Sequence, residues 1–179
     1  MIRRPAIVAL LCLLSRPAAA QIFTPMELSG GYAFVRDPRN DISLPIGWMA
    51  GGGVTLTDWL SAIADVSGSN KTISAFGSDV RISVHTAMAG VRGSVRVGRL
   101  TEFAQVVVGV VRGSGTAFGF TTTTNAFGLQ PGLGVDYPLN QRLAGRAQFD
   151  VRFIHSQPDG NDPGYEYRFV AALVYRFRR

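Results

Sequence analysis

The chain has 179 residues, 46% of them hydrophobic, with 21 glycines, one cysteine and a formal net charge of +6. That length suits one domain. The absence of any basic run interleaved with aromatics argues against nucleic acid as a partner, and no apolar stretch beyond residue 20 is long enough for a membrane helix.

The first twenty residues read as a secretory signal. Arg3 and Arg4 form a positive start, Ala6 to Leu14 an apolar run, and Ala18-Ala19-Ala20 before Gln21 a small-residue cleavage site. The only cysteine, Cys12, falls inside that run after Leu11, where a lipid-anchored precursor would need a small residue. A mature domain over 21–179 is therefore expected to have no disulfide and no lipid anchor. Arg3, Arg4 and Arg16 leave with the signal, so its formal charge is about +3.

From Glu27 onward polar and apolar residues alternate in eight segments, roughly 27–36, 46–56, 59–68, 81–97, 101–112, 126–137, 143–155 and 165–177. Period-two alternation is the signature of strands, whose side chains point to opposite faces in turn. In the third segment Leu60, Ala62, Ala64 and Val66 oppose Ser61, Ile63, Asp65 and Ser67. In the fourth, Ala87, Ala89, Val91, Val95 and Val97 oppose Thr86, Met88, Arg92, Ser94 and Arg96. The fifth breaks the rule: Val106-Val107-Val108 and Val110-Val111 make both faces apolar, so either part of the interior is greasy or the register slips there. The sixth contains Pro131, which cannot donate to a ladder and predicts a bulge or a late strand start. The seventh is the clearest, with Gly145, Ala147, Phe149, Val151 and Phe153 on one face and Arg146, Gln148, Asp150 and Arg152 on the other. The eighth sets Phe169, Ala171, Leu173, Tyr175 and Phe177 against Arg168, Val170, Ala172, Val174 and Arg176.

Such strands fit a soluble barrel with the apolar face inside or a membrane barrel with it outside. Three observations favour the membrane. The signal sends the chain out of the cytoplasm. Tight connections (Thr57-Asp58, Gly98-Arg99-Leu100, Pro138 to Arg142) alternate with longer polar stretches at 37–45, 69–80, 113–125 and 156–164. Aromatics gather at both segment ends: Trp59, Tyr137, Tyr175 and Phe177 near the tight turns, and Phe34, Trp48, Phe153 and Tyr167 near the long connections. The fold expected is all-β: an eight-stranded antiparallel up-and-down transmembrane β-barrel in an outer membrane, with loops outside the cell and both termini in the periplasm.

Several stretches carry a family resemblance. These are Gly51-Gly52-Gly53-Val54 running through a short turn to Trp59-Leu60, then Ala64-Asp65-Val66-Ser67-Gly68, Arg146-Ala147-Gln148-Phe149-Asp150, and the ending Leu173-Val174-Tyr175-Arg176-Phe177. With them the chain resembles the OmpA-type family of eight-stranded outer-membrane barrels, and within it the glycine-rich outer membrane protein beta-barrel domain group. The resemblance implies that the last strand, with Tyr175 and Phe177, is the signal to the barrel-assembly machinery. The larger members carry a C-terminal peptidoglycan-binding domain; none is expected after this barrel, so cell-wall tethering is not carried over.

An eight-stranded barrel is just wide enough inside for side chains to fill. Its predicted lumen holds Glu27, Asp65, Asp136 and Asp150 with Arg92, Arg96, Arg146, Arg152, Arg168 and Arg176. Charges away from water must pair, and the guanidinium fork suits carboxylates, so a salt-bridged plug that holds strand register is expected, with a narrow ion path as the alternative. A third reading is enzymatic. His155-Ser156 at the end of the seventh segment and Glu166 in the eighth resemble the residues of the lipid A deacylase family. There the histidine and serine are two residues apart on one face, whereas here they are adjacent and point opposite ways. Gly51-Gly52-Gly53 precedes no helix and is not a phosphate loop, and Asp159-Gly-Asn-Asp162 reads as a turn. No cofactor, metal or catalytic residue is expected. The partners expected are outer-membrane lipid, the assembly machinery and an unknown ligand of the surface loops, around a monomer.

Overall fold

The computed structural model describes residues 25–39, 42–75, 78–117, 120–155 and 164–177. The expected signal with Cys12, Ser156 and the 159–162 loop lie outside them. The described chain is all strand and turn: β1 (Met26–Asp37), β2 (Ile42–Leu44), β3 (Ile46–Thr55), β4 (Leu60–Ala75), β5 (Ser78–Val97), β6 (Leu100–Ala117), β7 (Phe120–Pro138), β8 (Leu143–His155) and β9 (Gly164–Phe177).

Each long strand pairs antiparallel with its sequence neighbour, and β1 pairs with β9, which closes eight strands into a barrel. Stepping across the sheet from Met26 through Val54, Ala62, Val91, Val106, Pro131, Val151 (opposite Pro131 by the register of the flanking pairs) and Tyr167 returns to Arg36, ten residues further along β1. With strands about 4.8 Å apart and about 3.3 Å per residue, that stagger tilts the strands about 40° from the barrel axis. The bore is then one that side chains fill.

Polarity is inverted relative to a soluble protein. Asp150, Arg152, Arg168, Gln130 and Asp136 are almost fully buried, while Leu28, Val91, Val106, Leu133, Phe169 and Leu173 lie outside and exposed. In water so continuous an apolar exterior would aggregate; in a bilayer it is the solvated surface. The inward and outward faces expected for β4, β5, β8 and β9 are those observed. The double-faced β6 keeps its register. Val106, Val108 and Val110 face out, while Val107 and Val111 enter an interior apolar cluster with Ile63 and Met88. A second small cluster joins Ala33, Met49, Val170 and Ala172.

Two expectations need correction. Pro131 produces neither a bulge nor a late start. β7 begins at Phe120 and its register with β6 is unbroken. Against β8 the pairing simply lapses at Gln130 and Pro131, with the same register at Leu129↔Phe153 and Gly132↔Asp150 on either side. The bulge lies instead at Pro45. Tyr32 pairs with Trp48 but Val35 with Leu44, so β1 advances three residues while its partner advances four. The second correction concerns 69–80 and 113–125, expected as loops. Residues 69–75 and 78–80 continue β4 and β5, and 113–117 and 120–125 continue β6 and β7. Above the lipid band both faces meet water, so Ser, Thr and Gly serve on either and the alternation that marks a strand disappears.

The tight turns are built locally. Gly98 has φ 61, a left-handed turn conformation that glycine adopts without strain. The Asn140 side chain accepts from the backbone N–H groups of Arg142 and Leu143, both at 2.8 Å. Closer packing explains inward Gly90 and Gly109, where a Cβ would strike the carbonyls of Val106 and Ala87, so these glycines let β5 and β6 coil tightly.

Candidate functional site

The inward residues of β1 and β4 to β9 meet in one polar network that fills the lumen. At the tight-turn end Arg146 grips Asp136 with Nε at 2.7 Å and Nη2 at 2.9 Å, a bidentate pair. Arg176 reaches the same Asp136 at 2.7 Å. Glu27 accepts from Arg92 at 2.5 Å and from Arg146 at 2.9 Å. The guanidinium groups of Arg92 and Arg146 lie 4.4 and 4.9 Å from the centre of the Phe103 ring, so the one large inward aromatic of the layer adds a cation–π surface.

Midway up, Gln105 links the layers. Its Oε1 accepts from Arg92 Nε and Nη2, and its Nε2 donates to Asp150 at 3.2 Å. Asp150 also accepts from Gln148 and, at 2.8 Å, from Arg168 Nε on the directly opposite residue of β9. Arg168 then crosses the bore to Asp65, with Nη2 at 2.9 Å and Nη1 at 3.3 Å. Ser67 and Thr86 close this layer through a 2.7 Å hydroxyl bond. Inward Gly132 makes room for it, because a Cβ there would occupy the position of Asp150 Oδ1. Above, Arg152 bonds Gln130 at 2.9 Å and Glu166 at 3.0 Å.

Five arginines (92, 146, 152, 168 and 176) thus meet five carboxylates (27, 65, 136, 150 and 166), so the charges of this network balance. Nine of the ten lumen residues expected from the sequence are in this network. Arg96 is not: it has the inward parity but is exposed near the end of β5, just before the Gly98 turn. Glu166, Gln105 and Gln130 were missed. Parity with Arg168 marks Glu166 as inward, and the isolated glutamines among the valines and glycines of β6 and β7 are the signal that was available.

Glu166 lies apart from His155. It points inward to Arg152, while His155 has outward parity and is exposed, so wall backbone separates imidazole from acid. Tyr175 and Phe177 form an edge-on pair on the outer face of β9, ring centres 4.9 Å apart. With Trp59 and Tyr137 they make the exposed aromatic girdle expected at the tight-turn end, and Trp48 and Phe153 belong to the one at the loop end.

Residues 6–177 match the family described as outer membrane protein beta-barrel domain. Similar solved structures include Ail, the attachment invasion locus protein of Yersinia pestis, in complex with the heparin analogue sucrose octasulfate. It is 15% identical with a TM-score of 0.63, over 86% of this chain and 99% of that one. Neisserial surface protein A is 14% identical with a TM-score of 0.61, over 86% and 96%. A major outer membrane protein from Thermus thermophilus is 14% identical with a TM-score of 0.64, over 86% and 99%. At these identities the likeness is one of fold. No curated protein matches the chain in sequence.

Proposed function

The chain belongs to the outer membrane protein beta-barrel domain family, and from that premise we propose that it is a sealed, non-enzymatic barrel supporting envelope integrity, with its long hairpins available for contacts. The observation that carries this reading is the neutral network of five arginines and five carboxylates across the bore. An ion entering would have to separate pairs held at hydrogen-bond distance in a low-dielectric interior, which costs several kcal/mol for each charge left alone.

Sidedness follows from the same asymmetry. Short turns join β3 to β4, β5 to β6 and β7 to β8, whereas the β4–β5 and β6–β7 hairpins extend far past the lipid band. Outer-membrane barrels place short turns in the periplasm and longer segments outside, which puts both termini in the periplasm. Residues 1–20 serve as a removable secretion signal. Outer-membrane lipid surrounds the apolar wall, a monomer suffices because closure leaves no barrel edge to pair, and the Tyr175–Phe177 strand is presented to the assembly machinery during insertion.

Planar-bilayer recording of the purified barrel tests the central claim. The expected record is flat, without large stable openings. Steady conductance from the unmodified protein would overturn the sealed reading in favour of a pore.

A further inference from the structure

The outer wall at the loop end carries a row of donors that neither the lumen network nor the apolar band uses. Trp48, Gly68, His85, Arg112 and Asn125 are successive cross-strand neighbours from β3 to β7. Trp48, His85, Arg112 and Asn125 are exposed on the face away from the lumen. Gly68 brings two of them together: a Cβ there would lie 2.7 Å from Trp48 Nε1 and 3.0 Å from His85 Nδ1, so both ring nitrogens share the space above β4. Adjacent strands are about 4.8 Å apart, which places the Arg112 guanidinium within side-chain reach of His85 and Asn125.

Arg112 stands on a boundary. The outward neighbours one step toward the tight turns are Ala87, Val110 and Phe127; one step toward the hairpin tips they are Ser83, Ser114 and Thr123. None carries a carboxylate, and no carboxylate of the described residues pairs with Arg112. A cation there, with an indole N–H, an imidazole and an amide alongside, meets an apolar wall directly below and water above.

We propose that this row binds the phosphate of a lipid whose acyl chains lie on the apolar wall beneath it. The planar guanidinium takes two phosphate oxygens with the Asn125 amide on the next strand donating beside it, while Trp48 Nε1–H and the His85 imidazole, gathered over β4, border the same lipid. A lipid, rather than a soluble polyanion, is the occupant because the donors sit on the side wall at the edge of the apolar band and not on the hairpin tips. Calling it a lipid of the outer leaflet rests on the sidedness proposed above; the binding does not.

The test uses the mature barrel carrying Trp59→Phe, so that Trp48 is the sole indole, refolded in a neutral maltoside detergent. It is titrated with diphosphorylated lipid A and with the same lipid stripped of phosphate, reading Trp48 emission, with heat-modifiable gel migration as the folding control. The phosphorylated lipid is expected to give a saturable change. Arg112→Gln should weaken it about tenfold or more, Asn125→Leu less, and Arg142→Gln at the opposite end not at all. Equal response to the phosphate-free lipid, or unchanged binding by folded Arg112→Gln, overturns the proposal. So does tighter binding of sucrose octasulfate at the same row, which would make the ligand a soluble polyanion. A detergent titration has no sidedness, so its failure leaves the orientation untouched.

Discussion

Arg168 ties the two sides of the interior together. It is fully buried and joins Asp150 on its own side of the bore to Asp65 on the other. A buried ion pair adds little net stability over an apolar pair of the same shape, but removing one partner strands the rest. Arg168→Ala leaves two buried carboxylates facing each other and should destabilise the barrel by about 3–5 kcal/mol. The midpoint of urea unfolding in detergent micelles measures this. Arg168→Lys should recover little of the loss, because one ammonium cannot reproduce the planar fork that serves both carboxylates. Near wild-type stability in Arg168→Ala would mean that these contacts do not hold the register.

Among the strands, the two prolines show how one missing N–H is accommodated in different ways. At Pro45 the chain inserts an extra residue and shifts the register with β1 by one; at Pro131 the register is kept and two rungs facing β8 are lost. Pro131→Val supplies the absent donor on a wall-facing position and should stabilise the barrel by about 1 kcal/mol. Urea unfolding reports the gain, and slowed hydrogen exchange around 130–132 reports the restored rungs. Strand extension makes a second prediction. Thr121, Thr122 and Thr123 are laddered to Thr116, Gly115 and Ser114 despite a composition that reads as loop. Their amide partners across that hairpin should exchange far more slowly than loop amides. Exchange at unprotected rates throughout 113–117 and 120–125 would return those residues to the loop class.

For the molecule as a whole, closure is what makes a chain of such polarity viable. Apart from the bulge at Pro45 and the two rungs lost beside Pro131, the ladder of the described strands is paired round the ring and the charges of the lumen network balance, so the large outer surface left is apolar and requires lipid. Sidedness is tested with single cysteines at Thr122 in the β6–β7 hairpin and at Leu139 in the β7–β8 turn. A membrane-impermeant maleimide applied to intact cells should label the first and leave the second unmodified until the envelope is opened. The reverse pattern would invert the orientation.

Alternation placed the eight barrel strands and assigned the inward and outward faces of β4, β5, β8 and β9, because a lipid-facing wall over a polar lumen changes polarity from residue to residue; it was silent in β6, where Val107 and Val111 make an apolar patch inside. Segment ends were legible where that constraint ended in a tight turn, as at Thr57-Asp58 and Pro138 to Arg142, and illegible where the strands ran on into water past Asn70 and Arg112. Parity also drew nine of the charged residues to the lumen, and it overreached at Arg96 because it carries no information on height along the barrel. Which arginine meets which carboxylate belonged to the tertiary structure alone. Arg168 finds Asp65, and Arg92 finds Glu27, across a bore whose ten-residue stagger sets which distant side chains share a level. That stagger is a property of closure, summed over all eight strand pairings, and no single segment contains it.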